Sequence, residues 1–299
     1  MSIAILGAGL AGLSCARALA ERGIAVRLFD KGRGVGGRLA TRRLEAAGRT
    51  IAIDHGAQYL EPRDPAFAGL LAGLPCASWP EAGQLIPLPT ISALPRALAA
   101  GLDCRNGVTI TALAEAPGGW MLADAAGERH GPFRAVVLTA PAPQSAALLA
   151  PIAPDLAEQL GAVVYAPCWS WLAAFAEPLP LPDLLRGRGP IAWAARNGAK
   201  PGRDAAEAWV VQADADWSRR HLDEPAEQVA AQLSALLPAP PPLAQTAHRW
   251  RYALVERPLG RDFLWDARRG IGLAGDFCPG GGAEAAFLSG RALAQAIAG

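Results

Sequence analysis

Three glycines, Gly7, Gly9 and Gly12, stand in a GxGxxG spacing, and an acidic residue, Asp30, follows roughly 20 residues on. This combination suits a dinucleotide pyrophosphate. Gly7 permits a tight turn, Gly9 lets the backbone approach phosphate with no Cβ in the way, and Gly12 lets a helix pack closely on a strand. The helix start at Leu10, Ala11 and Gly12 would present free N–H groups and the positive end of its dipole to an anion. Asp30 can accept hydrogen bonds from a ribose hydroxyl. In a chain with 33 glycines the spacing alone says little, since a glycine turn with no nucleotide has the same signature.

The elements around it give it meaning. Ile3 to Leu6 is an apolar run that reads as a buried strand. Leu10 to Glu21 is rich in Ala and Leu and stops at Gly23, as a helix does. Ala25 to Phe29 is a second apolar run that ends on Asp30. Strand, glycine turn, helix and strand make one βαβ unit with a right-handed crossover. Further strands are predicted at Ile51–Asp54, Val108–Leu113, Trp120–Leu122 and Ala135–Thr139.

Between Cys76 and Pro95 prolines and tryptophans thicken and periodicity fades, which marks a departure from the first domain. Seven tryptophans, from Trp169 to Trp265, fall in the second half, where Ile191–Ala195 and Trp209–Gln212 read as strands of an antiparallel sheet and Pro225–Leu237 as a helix. Pro178–Pro182 and Pro238–Pro242 read as surface connections. A strand at Gly270–Ala274, a glycine loop and a helix over Glu284–Ala298 look like a return to the first domain.

Hydrophobic residues make up 52% and charged residues 18%, so the 299-residue chain is globular. A net charge of +1 gives no basic field for nucleic acid. No apolar run reaches the roughly 18 residues that span a bilayer, and no basic segment precedes the first apolar stretch, so neither a membrane span nor a signal peptide is expected. The five cysteines are scattered and form no CxxC pair, which fits buried thiols in a reducing cytoplasm. The four histidines show no metal-ligand spacing, and no metal is expected. Oligomeric state is not legible.

A second glycine loop, Lys31-Gly-Arg-Gly-Val-Gly-Gly-Arg38, follows Asp30 directly. Glycines beside an arginine suit a second phosphate contact, because a guanidinium grips pyrophosphate in bidentate fashion; a solvated arginine is the plain alternative. The GGR loop after a first βαβ unit resembles the flavin-containing amine oxidase superfamily. Asp54-His-Gly-Ala-Gln-Tyr59, Thr139-Ala-Pro-Ala-Pro-Gln144, His248-Arg-Trp-Arg-Tyr252 and Gly275-Asp276 stand in the order found in its renalase-like branch. The resemblance covers the chain and is weakest between about Gln144 and Thr246.

That resemblance implies an α/β fold: a Rossmann-like FAD-binding domain assembled from residues 1–75, 96–145 and 262–299, plus an α+β substrate domain with an antiparallel sheet from residues 76–95 and 146–261. It implies non-covalent FAD. Gly7, Gly9, Leu10, Ala11 and Gly12 would take the phosphates, Asp30 and Lys31 the adenosine ribose, and Gly37 and Arg38 the pyrophosphate. Gly56, Ala57 and Gln58 would pass close to the isoalloxazine, and Val108 would offer backbone groups to the adenine. Thr139 and Pro141 would close over the cofactor, and Gly275 and Asp276 would meet the ribitol or pyrophosphate. The helix start at Glu284, Ala285 and Ala286 would face the flavin N1–O2 edge, where reduced flavin carries negative charge.

Gln58, Tyr59, Trp250 and Arg251 are the candidates for aligning a substrate. Tyr59 and Trp250 could equally be packing aromatics, and Arg251 could be a structural ion pair. Cys278, near Asp276, reads as an ordinary thiol rather than a flavin link. Many flavin amine oxidases use a lysine that holds a water near flavin N5. This chain has two lysines, Lys31 and Lys200. Lys31 is claimed by the ribose end and Lys200 is expected in a polar loop, which argues against amine oxidation by that arrangement. The renalase-like branch oxidises isomeric dihydronicotinamides, small molecules that already carry a transferable hydride, and passes electrons to dioxygen to give hydrogen peroxide. An oxidase or desaturase of an amine or lipophilic substrate, and a non-catalytic flavin-binding protein, are the competing readings.

Overall fold

A computed structural model describes residues 2–299. The chain divides into two compact units. The first comprises residues 2–37, Leu94–Val164 and Val255–Gly299, and the second Arg38–Ala93 and Tyr165–Leu254.

The first unit is built on a six-stranded sheet, in the order Leu264–Asp266, Ile271–Leu273, Ala135–Leu138, Ile3–Leu6, Val26–Asp30 and Asp103–Asn106. All neighbours are parallel except the edge pair Leu264–Asp266 with Ile271–Leu273. Ile3–Leu6 and Ala135–Leu138 are buried at every position, as strands covered on both faces must be. The helices Leu10–Ala20 and Ala283–Ala298 lie close together, and Gly290 is what allows it: a Cβ there would drive into the Ala11 carbonyl oxygen. Ser14 Oγ donates to the Phe287 carbonyl (2.6 Å) across the same contact. A three-stranded antiparallel sheet of Ile110–Ala116, Gly119–Asp124 and Arg129–Phe133 completes the unit with the helices Ala142–Leu149 and Pro154–Leu160.

The second unit holds a five-stranded antiparallel sheet, ordered Leu184–Arg188, Ile191–Arg196, Ala208–Ala213, Val164–Ala174 and Ala244–Arg257. Strand alternation sends Trp169, Trp171, Trp209 and Val211 to one face, where Val229 and Leu233 of the helix Ala226–Ser234 cover them. Leu172, Ala174, Ala208 and Val210 point the other way, onto Leu44, Ile51 and Ile53 of a hairpin formed by Thr41–Ala46 and Arg49–Asp54. The hairpin thus buries its apolar face in this unit. The expected boundaries placed residues 38–75 with the first domain; the contacts group them with the antiparallel sheet instead.

Candidate functional site

The GxGxxG turn follows the first strand directly. Gly7 has φ +111°, a left-handed conformation that L side chains resist. A Cβ on Gly12 would enter the Gly7 carbonyl oxygen, so both glycines are sterically required. Gly9 differs: a Cβ there meets nothing within 4 Å. That open space lies beside the uncapped start of the helix Leu10–Ala20, whose first N–H groups are left for an anion. The second glycine loop is laid against the first. Gly36 N donates to the Ala8 carbonyl (2.8 Å), and a Cβ on Gly37 would sit 3.4 Å from Gly9 Cα. Asp30 fastens both loops, accepting from Ala8 N at Oδ2 and from Gly32 N at Oδ1, each at 2.6 Å. Each carboxylate oxygen keeps a lone pair for a ribose hydroxyl. Open phosphate-side space, an uncapped helix and an acidic residue at the second strand together fit a dinucleotide.

Other expected members of this site lie around the same sheet. Thr139 Oγ1 donates to the carbonyls of Leu6 (3.1 Å) and Gly7 (3.0 Å), tying the end of the strand Ala135–Leu138 to the turn. Pro141 caps the helix Ala142–Leu149. Lys31 Nζ reaches Gln144 Oε1 at 3.4 Å. Val108 has its N–H engaged by the Asp30 carbonyl (3.0 Å), so only its carbonyl remains for a ligand. Gly275 N donates to Ser289 Oγ (3.0 Å), Asp276 is buried, and Glu284, Ala285 and Ala286 form the first turn of the last helix, which has no side-chain cap. Burial pushes the Cys278 thiol up to about 12, which leaves it protonated and unreactive.

The second unit organises the Asp54–Tyr59 loop. A Cβ on Gly56 would enter the Arg38 carbonyl oxygen, which also accepts from Ala57 N (3.0 Å). Arg38 Nη1 donates to the Ala253 carbonyl (2.8 Å). Gln58 is buried and fully engaged: its Nε2 donates to the carbonyls of Asp54 and Gly56 (3.0 Å each), and its Oε1 accepts from Lys200 Nζ at 2.7 Å. Its amide is therefore internal scaffolding, with no donor left to align a substrate. Lys200 corrects the sequence reading outright. It is 1% exposed, with its ammonium 5.2 Å from the centre of the Trp79 ring. Desolvation lowers it from 10.5 to about 8, against the opposing pull of Asp54. The 3-10 turn Asn197–Ala199 is anchored by Asn197 Nδ2 on the Ala52 carbonyl (3.0 Å), and this turns the lysine inward.

Beneath it lies a buried ion pair. Asp54 Oδ2 accepts from Arg203 Nη2 (2.6 Å) and Nε (3.1 Å), and both side chains are 0% exposed. Asp54 Oδ1 accepts from Thr41 Oγ1 (2.7 Å) and Ile91 N (3.1 Å). Tyr59 packs on Trp193 at 5.6 Å and Trp193 on Trp79 at 5.9 Å, forming an aromatic wall beside Lys200.

Trp250 Nε1 donates to the His55 carbonyl (3.0 Å), and its ring lies 3.4 Å from where a Gly56 Cβ would be. His248 and His55 complete the group, with ring centres 4.2 and 5.1 Å from Trp250. Burial, then the charges of His248 and Arg42, lower His55 to about 3; burial and Arg42 lower His248 to about 4. Both imidazoles are neutral at pH 7. Arg251 is not brought into this group. It sits on the opposite side of its strand, is exposed, and pairs with Asp223 at 2.5 Å. Asp124, Glu128 and His130 offer ligand atoms within 4.8 Å of one another, a proximity that histidine spacing alone did not reveal. Asp124 already accepts from Ala126 N, Glu128 N and His130 Nε2, so the cluster locks a hairpin turn.

Two family profiles match. One, described as an NAD(P)-binding Rossmann-like domain, covers residues 5–74; the other, described as flavin containing amine oxidoreductase, covers residues 77–298. Among solved structures, the chain resembles one assigned as a protoporphyrinogen oxidase from Exiguobacterium sp. 255-15, with 14% identity over 99% of this chain and 98% of that one, at a TM-score of 0.73. Putrescine oxidase bound to putrescine matches at 14% identity, over 99% and 98%, with a TM-score of 0.70. Cyclohexylamine oxidase from Brevibacterium oxydans IH-35A matches at 13%, over 99% and 98%, with a TM-score of 0.68. At these identities the structures establish a shared fold. The family match spans most of the chain, and with the two glycine loops it identifies the protein as a member of the flavin containing amine oxidoreductase family and hence as a flavin-dependent oxidoreductase.

Proposed function

We propose that the protein is an FAD-dependent oxidase of renalase type, which oxidises isomeric dihydronicotinamides and delivers the electrons to dioxygen. The observation that carries the reading is the group around Trp250. Two imidazoles held neutral by burial flank it, and neither is an effective base near pH 7. A dihydronicotinamide needs no base: losing a hydride makes its ring an aromatic pyridinium, so alignment is the main demand. Trp250 and Tyr59 offer flat faces for such a ring. Asp30, the two glycine loops, Arg38 and the uncapped helix starts would bind the cofactor. Bound flavin would supply hydride acceptance and reoxidation by dioxygen. The balance is one dihydronicotinamide, one dioxygen and one proton giving one nicotinamide cation and one hydrogen peroxide.

Lys200 supports a second reading, oxidation of an amine. A buried ammonium held by Gln58, with a lowered proton affinity, is the kind of group that could fix a water. Acid denaturation of the purified protein should release FAD, and aerobic turnover of a dihydronicotinamide isomer should yield the nicotinamide cation and peroxide in equimolar amounts. Release of FMN, or peroxide formation from amines alone, would reject the first reading.

A further inference from the structure

Arg42 occupies a position built for an apolar side chain. In the hairpin, alternation puts Arg42, Leu44 and Ala46 on one face and Thr41, Arg43 and Glu45 on the other. Leu44 and Ala46 are buried, and Arg42 pairs in register with Ile53, which is 0% exposed. His55 is the next residue on that face, its N–H donating to the Ala40 carbonyl (3.1 Å), so Arg42 is its diagonal neighbour. A guanidinium drawn into such a face should carry a counter-ion. Asp54 cannot serve: its side chain lies on the Thr41 face and is taken by Arg203, Thr41 and Ile91.

The side chain of Arg42 has no hydrogen bond or ion pair among the described residues, its main chain being part of the hairpin ladder. Every other half-buried arginine there has a carboxylate, carbonyl or aromatic partner. The charge of Arg42 bears instead on the imidazoles of His55 and His248, which lie 4.9 Å apart, ring centre to ring centre. His55 Nδ1 is buried with no hydrogen-bond partner, and His55 is 6% exposed. An unpaired cation beside two neutral imidazoles is complementary to an anion, which would neutralise the one and let the others take up protons.

We propose that Arg42, flanked by His55 and His248, is a recognition site for a phosphate group of the substrate, so that the enzyme prefers phosphorylated dihydronicotinamide nucleotides to uncharged ribosides. The carrier of the phosphate rests on the function proposed above; the anion site does not. The test compares anaerobic flavin reduction by 6-dihydronicotinamide mononucleotide and by the corresponding riboside, in wild type, Arg42→Met and Arg42→Lys. Met keeps an unbranched chain close in length to the aliphatic stem of arginine, without the guanidinium, and suits the apolar face. Arg42→Met should weaken the apparent Kd for the mononucleotide at least ~10-fold, the scale of one charge-assisted contact, and leave the riboside unchanged. Arg42→Lys, which keeps the charge without the fork, should recover part of the loss. Equal losses for both compounds, or no loss for either, would overturn the site. A second arm titrates flavin-loaded wild type and Arg42→Met with pyrophosphate by calorimetry. If neither dihydro compound reduces the flavin but pyrophosphate binds wild type at least ~10-fold more tightly, the proposed function falls and the anion site stands. Equal binding by the two proteins, or none by wild type, overturns the site.

Discussion

Replacing Lys200 with methionine removes a charge that the fold holds at a disadvantage. In an unfolded chain the ammonium keeps its proton up to about pH 10.5; in the native protein burial lowers that to about 8. At 1.36 kcal/mol per pH unit, the native state below pH 8 is penalised by about 3 kcal/mol. Between pH 8 and 10.5 the unfolded chain binds the extra proton, so the contribution of Lys200 to stability rises with pH and levels off above 10.5. Methionine escapes the penalty but leaves Gln58 Oε1 without its donor, at a cost of about 1–3 kcal/mol. Lys200→Met should therefore be about 0–2 kcal/mol more stable than wild type at pH 7, and about 1–3 kcal/mol less stable at pH 10.5. Urea unfolding of both proteins at several pH values, with excess FAD, measures the difference; other titrating groups cancel in the subtraction. A difference that does not change with pH would refute the assignment of a buried, proton-poor lysine. Activity should fall in the same variant if the amine reading holds.

Arg38→Ala should weaken FAD retention by about 2 kcal/mol, read as the dissociation constant of the flavin. Asp54→Asn leaves the Arg203 guanidinium buried without its charge partner and should cost about 3–5 kcal/mol in unfolding free energy.

The first βαβ unit was legible because its chemistry is local. Strand, glycine spacing and Asp30 lie within the first thirty residues, and Gly7 and Gly12 each have a steric reason visible in the turn, while Gly9 leaves open space beside the helix start. The C-terminal strand and helix were legible for the same reason. The long strand Val164–Ala174 was not. It is apolar on both faces because the helix Ala226–Ser234 covers one and the hairpin Thr41–Asp54 the other, and no alternation survives to mark it. Lys200 misled because Asn197, Gly198 and Pro201 read as a polar surface turn, whereas the partners that draw the lysine inward, Gln58 and Trp79, lie more than a hundred residues away. Gln58 was singled out, yet its side chain serves that lysine. Arg251 and Trp250 are adjacent in sequence and belong to opposite faces of one strand, so only Trp250 joins the histidines.

The most direct measurement is stopped-flow reduction of the bound flavin, without oxygen, by a dihydronicotinamide isomer and by a simple primary amine. The dihydronicotinamide should bleach the flavin at least about 100-fold faster, a barrier difference of roughly 2.7 kcal/mol. Rapid bleaching by the amine, with none by the dihydronicotinamide, would contradict the proposed function and move the chemistry to Lys200.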